Sequence, residues 1–160
     1  MRTDLRTVLA ALHEHGVQYV VIGGVALVAS GSSRVTEDLD ICYARNRDNL
    51  TRLEKALTQF RPTLRGAPPE LPFVLDALSL RSGLNFTLAT TAGDLDLLGE
   101  VPGIGTYEDA AVDAVQIELF DMEVNILSLD ALEKSKRAAG RAKDLLDLAE
   151  IAEIRKARES

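Results

Sequence analysis

The stretch 23–41, GGVALVASGSSRVTEDLDI, holds the residue types and spacings best suited to chemistry. Asp38 and Asp40 are two apart in DLDICY, a run that reads as a strand. Alternate residues of a strand share a face, so both carboxylates point to one side and Leu39 and Ile41 to the other. Two carboxylates crowded on one face repel each other. A divalent cation between them would remove that cost. Hard oxygen ligands select Mg²⁺ or Mn²⁺, and Mg²⁺ usually takes substrate phosphates as further ligands. An isolated Asp-x-Asp fits two solvated acids at a strand edge equally well, so the context upstream matters. Gly23 and Gly24 lie between a buried strand and a short apolar helix, where missing side chains let backbone approach a ligand closely. The N–H groups that open such a helix suit phosphate oxygens.

Several elements must position these residues. Residues 3–15 read as a helix with Leu5, Val8, Leu9 and Leu12 at helical spacing, Thr3 as a cap and Gly16 as the stop. His13 and His15 sit at its end and do not face each other as metal ligands would. VQYVVI (17–22) reads as a buried strand, VALVAS as a short helix, and 47–60 as an amphipathic helix around Leu50, Leu53 and Leu57. Residues 61–72 hold four prolines and read as loop, a surface segment such as PPELP included. Strands are expected near 84–90 and 94–99, and a helical turn at 106–111. VQIELF and EVNILS alternate and form a hairpin joined at Asp121-Met122. From about 129 the chain reads as two short helices separated by Gly140. The last carries an apolar stripe of Leu145, Leu148 and Ile151, flanked by Leu146 and Ala152.

This order predicts an α/β (or α+β) fold: one mixed sheet, helices packed on one face, and a short helical carboxyl-terminal segment. A length of 160 residues fits a single domain over 1–160, with a sheet core at 1–128 and helices at 129–160. The formal charge is −7, which repels nucleic acid overall and requires a local basic patch or a bound cation to meet phosphate. The lone Cys42 excludes an internal disulfide, suits a reducing compartment, and reads as a small buried hydrophobe. No apolar run approaches a membrane span, and the charged amino end does not read as a signal peptide, so a cytoplasmic location is expected.

The combination GGVALVAS…RVTEDLDI resembles the opening motif of the nucleotidyltransferase superfamily, the DNA polymerase β-like fold. It looks most like the AbiEii-type toxins and the small aminoglycoside nucleotidyltransferases. The resemblance implies a third carboxylate on a neighbouring strand. GDLDLLGEV offers Asp96, favoured for its apolar neighbours, with Asp94 as the alternative. It also implies that Asp38, Asp40 and Asp96 hold Mg²⁺ (or Mn²⁺) and act on an NTP, one acid taking the proton of the attacking hydroxyl. Arg34 and Thr36 precede the acidic strand and are candidate phosphate contacts, Arg34 by its forked guanidinium.

The basic run KSKRAAGRAK reads first as a solvated helix face, with Lys143 and Asp147 as an i,i+4 pair. The resemblance implies more: Lys136 on phosphate, with Lys143 and Asp144 as supports near the site. The implied function is nucleoside monophosphate transfer from an NTP to an acceptor hydroxyl of RNA, protein or a small molecule. A toxin held by a cognate antitoxin is one version. The alternative is a non-catalytic nucleotide- or partner-binding module of the same fold, the antitoxin or regulatory half of a pair.

Overall fold

The computed structural model describes residues 4–32, 38–68 and 70–159. Helix α1 (Leu5–Glu14) is capped by the Asp4 carboxylate, which accepts the Thr7 N–H at 3.2 Å, and His15 and Gly16 close it. The expected cap, Thr3, lies outside the described residues. Strand β1 (Tyr19–Ile22) is buried along its length. Helix α2 (Gly23–Ala29) begins directly at the glycine pair, which opens the helix instead of separating it from the strand. Strand β2 (Asp38–Tyr43) occupies the expected span, with fully buried Leu39 and Ile41 alternating with half-buried Asp38 and Asp40.

Asn46 caps helix α3 (Arg47–Leu57), and a 3₁₀ turn completes it. The proline-rich stretch is not wholly loop, because strand β3 (Thr63–Leu64) lies within it. Helix α4 (Ala77–Ser82), held by an Asp76–Ser79 capping box, was not expected. Strands β4 (Phe86–Thr90) and β5 (Gly93–Leu98) follow, then helix α5 (Tyr107–Val112). Strands β6 (Ala114–Leu119) and β7 (Met122–Leu127) form the expected hairpin. Its turn is Phe120-Asp121, both in the left-handed region (φ 52 and 65), as a two-residue hairpin turn requires.

The seven strands form one mixed sheet in the order β3-β4-β5-β2-β1-β7-β6. Strands β2 and β5 pair in parallel, with Asp38 opposite Asp94 and Asp40 opposite Asp96. This register puts four carboxylates on one face. The apolar partners Leu39, Ile41, Leu95 and Leu97 lie on the other face and are buried. At the carboxyl end, helix α6 (Leu129–Ala139) stops at Gly140 in the left-handed region, and helix α7 (Ala142–Glu159) follows. Helix α7 is 18 residues long, not short, and its expected stripe is turned: Leu145 and Leu146 are exposed. Its inward face carries Asp144, Asp147, Ile151 and Ile154. Two acids can face inward there because cations meet them, as described next.

Candidate functional site

The carboxylate face of β2 and β5 opens into a cleft of about 170 Å³ that includes Gly23, Asp40, Asp96, Ser135, Lys136 and Lys143. Gly23 has φ +69, and a Cβ built on it would collide with the Asp40 carboxylate. The glycine is therefore required both by its backbone conformation and by its neighbour. Gly24 follows it within α2.

Asp40 is the most perturbed acid of the cleft. Burial, the charge of Asp96, a hydrogen bond shared with Asp96 and the charge of Asp38 raise its pKa to about 7, while Lys136 opposes the shift. Its Oδ1 is buried and has no hydrogen-bond partner among the described residues. A buried carboxylate oxygen left without a donor is costly, and a hard cation or a donor on a ligand would satisfy it. Among the described residues, no group of three or more His, Cys, Asp or Glu stands ready to hold a metal ion as the side chains now lie.

Of the two alternatives for the third carboxylate, both Asp94 and Asp96 share the face of Asp38 and Asp40. Asp96 is the one opposite Asp40 and in the cleft. Sequence reasoning missed their principal cation. Arg65 donates from Nη2 to Asp96 Oδ1 at 2.6 Å and lies 3.4 Å from Asp94 Oδ2 through Nη1. That Nη1 also donates to the Leu88 carbonyl at 3.2 Å. Strand β3 explains the placement. The Arg65 N–H continues the ladder to the Thr87 carbonyl, and Thr87 is paired with Asp96. The three residues thus lie in one row across the sheet. Only a two-residue strand inside a proline-rich segment could have signalled this.

The basic segment forms the opposite wall. Lys136 Nζ lies 2.8 Å from Asp147 Oδ2 and 3.6 Å from Asp144 Oδ1. Arg141 grips Asp144 with Nε at 2.9 Å and Nη2 at 3.2 Å. Asp144 Oδ2 also accepts the Arg141 backbone N–H at 3.0 Å, which completes one half of a capping box at the start of α7. The Arg141 side-chain hydrogen bond is the main reason that the Asp144 pKa falls to about 2. Lys136 and Asp144 therefore meet each other at the cleft wall. Asp147 belongs to Lys136 and not to Lys143, which is exposed. Arg34 and Thr36 lie outside the described residues. Cys42 is buried, and burial pushes its thiol pKa up to about 12, as befits a packing residue.

Residues 1–56 match the model of a family described as "Nucleotidyl transferase of unknown function (DUF2204)". No curated protein sequence matches the chain significantly. Solved structures resemble it over nearly its whole length. The lincosamide antibiotic adenylyltransferase LnuA, solved with lincomycin bound, superposes with a TM-score of 0.62 at 14% identity, covering 96% of this chain and 98% of that one. A putative nucleotidyltransferase from Thermotoga maritima gives 0.60 at 17% identity, covering 91% and 88%. The antibiotic-resistance factor ANT(2'')-Ia gives 0.55 at 15% identity, covering 97% and 89%. The chain has the nucleotidyltransferase fold, and the resemblance read from its opening motif to that superfamily is borne out.

Proposed function

We propose that this chain is a metal-dependent nucleotidyltransferase that moves a nucleoside monophosphate from an NTP to an acceptor hydroxyl. One observation carries the reading: the orphaned Oδ1 of Asp40, buried beside Asp96 in a cleft walled by Lys136. The hard oxygen donors and the unpartnered oxygen fit Mg²⁺ or Mn²⁺. Asp38, Asp40 and Asp96 would hold the cation. When bound, it supplies charge neutralisation at the attacking and leaving oxygens of the transferred phosphate.

The chain's own groups do the remainder. Gly23 keeps side-chain bulk away from Asp40. Lys136, steadied by Asp144 and Asp147, presents positive charge to the triphosphate. Arg34, Thr36 and Lys143 are further candidates for phosphate contact, and Gly24 for a close backbone approach. An acid of the Asp38–Asp40–Asp96 group accepts the proton of the attacking hydroxyl.

The acceptor class is open to one experiment. The protein is incubated with Mg²⁺ and each α-³²P-labelled NTP in turn, against total RNA, cell protein and a set of small alcohols that includes lincomycin. Label on one class, lost in Asp38→Ala and Asp40→Ala, establishes both the activity and the acceptor. Label on RNA or protein, together with growth arrest on expression, supports the toxin version and a search for its antitoxin. Absence of label from all three classes overturns the transferase.

A second reading, a nucleotide- or partner-binding module, has one observation in its favour. The cleft's charged groups are already engaged with one another, Asp96 with Arg65 and Lys136 with Asp147. Saturable NTP binding without transfer would select it.

A further inference from the structure

Four acids share the sheet face, and the two that Arg65 meets within 3.4 Å are those on β5. Its fork spans them unequally: Asp96 is held at 2.6 Å and Asp94 is approached at 3.4 Å. Asp96 is the acid opposite Asp40, and Asp94 lies one pleat away, opposite Asp38. The guanidinium thus holds one oxygen of the acid that a cation shared with Asp40 would use, with a second carboxylate beside it. The same Nη1 that approaches Asp94 donates to the Leu88 carbonyl, which anchors the guanidinium to β4.

We propose that Arg65 is an internal counter-ion that competes with the divalent cation for Asp96, and that Asp94 is the carboxylate to which it retreats when the cation binds. The proposal rests on the metal-site reading above and assigns distinct work to the two acids of the DLD pair on β5. Asp96 is a ligand, and Asp94 is a positioning residue for Arg65. It also accounts for a row of acids in which, among the described residues, no three are gathered to hold an ion. A guanidinium in that row offsets the charge of Asp96 and repels an incoming dication. A cation alone therefore binds weakly. One delivered with a triphosphate brings extra phosphate oxygens and displaces the arginine, so the site fills with metal and nucleotide together.

The experiment is a titration of Mn²⁺ alone into the full chain, following loss of the free-ion signal by electron paramagnetic resonance. Arg65→Gln is expected to tighten Mn²⁺ binding by about tenfold or more, since a like charge a few ångströms from the ion is removed. Arg65→Lys, which keeps the charge, stays nearer the wild type. Asp94→Asn weakens binding in both backgrounds through its lost charge, and by a severalfold larger factor when Arg65 is present than in the Arg65→Gln background. Should Arg65→Gln fail to fold, the wild-type chain still reports. One arginine Nε–H resonance, absent from Arg65→Lys, must move in step with saturation by Mg²⁺.

Equal or weaker Mn²⁺ binding by Arg65→Gln overturns the competition. Equal weakening by Asp94→Asn in both backgrounds overturns its positioning role. In each of these cases the metal site itself stands. Absence of Mn²⁺ binding to wild type and variants alike removes the metal site, and the proposal with it.

Discussion

Two of the polar side chains that reach into this molecule, Asn49 and Asp40, have surroundings that differ in kind. Asn49, on α3, is fully buried, and its amide is used at both ends. Its Oδ1 accepts the Gln18 N–H at 2.7 Å, and its Nδ2 donates to the carbonyls of Gln18 (3.1 Å) and Ala44 (2.7 Å). Asp40, on β2, keeps an orphaned oxygen and three acidic neighbours on its sheet face. The first arrangement is complete without any ligand and locks the entrance of β1 to the exit of β2. The second is complete only when something else arrives. Burial alone does not separate structural from functional polar groups; satisfaction does.

Substitutions break the contrast at each end. Asp40→Asn keeps the shape of the side chain and removes its charge. It is expected to lower nucleotidyl transfer by on the order of 10³-fold, because charge stabilisation at the phosphate is lost, while the melting temperature holds or rises. A calorimetric scan beside a label-transfer assay checks both halves, and a protein that keeps its activity would remove Asp40 from the site. Asn49→Ala should do the reverse. The Gln18 carbonyl keeps the Ala44 N–H, but leaving the Gln18 N–H and the Ala44 carbonyl unpaired costs about 3 kcal/mol, a fall of about 10 °C in melting temperature for a chain of this size. Cleft chemistry at low temperature should survive it.

The cation-lined wall sharpens the comparison with an intermediate case. Asp144 is buried but fully met by Arg141 and Lys136. Its pKa is depressed to about 2, below the unfolded value near 4. Its contribution is therefore present above pH 4 and is lost as the pH falls through about 2. Asp144→Asn should abolish up to about 2 kcal/mol of that acid-dependent stability. Denaturant midpoints between pH 6 and pH 2 measure it, and identical slopes in both proteins would discount the pair. The smallest effect belongs to Cys42. With its thiol pKa pushed up to about 12 by burial, it should resist iodoacetamide at pH 8 in the native state and react only after unfolding.

Legibility followed the length and regularity of each signal. Strand β2 was readable to the residue because Asp-Leu-Asp-Ile alternates cleanly between a wet and a dry face. The β6–β7 hairpin was readable for the same reason, although its turn fell one residue earlier, at Phe120-Asp121. Helix α4 has six residues and no periodic pattern to display. The inward face of α7 was misread because a stripe of leucines is the usual sign of burial. Here Asp144 and Asp147 turn inward instead, towards Lys136 and Arg141, and leave Leu145 and Leu146 to solvent. Arg65 could not be seen at all, since its role depends on a register between strands that only the folded sheet defines.

The pairing of β2 with β5 has a kinetic corollary. Asp40 meets Asp96 across 56 positions of sequence, through a parallel ladder that no hairpin can nucleate. Non-local ladders close slowly because loop entropy is spent before contacts form. During refolding, the helices should therefore register in circular dichroism well before the two acids come together. Recovered Mn²⁺ uptake would then serve as a clock for the last strand to dock, and a lag between the two signals is what stopped-flow should display.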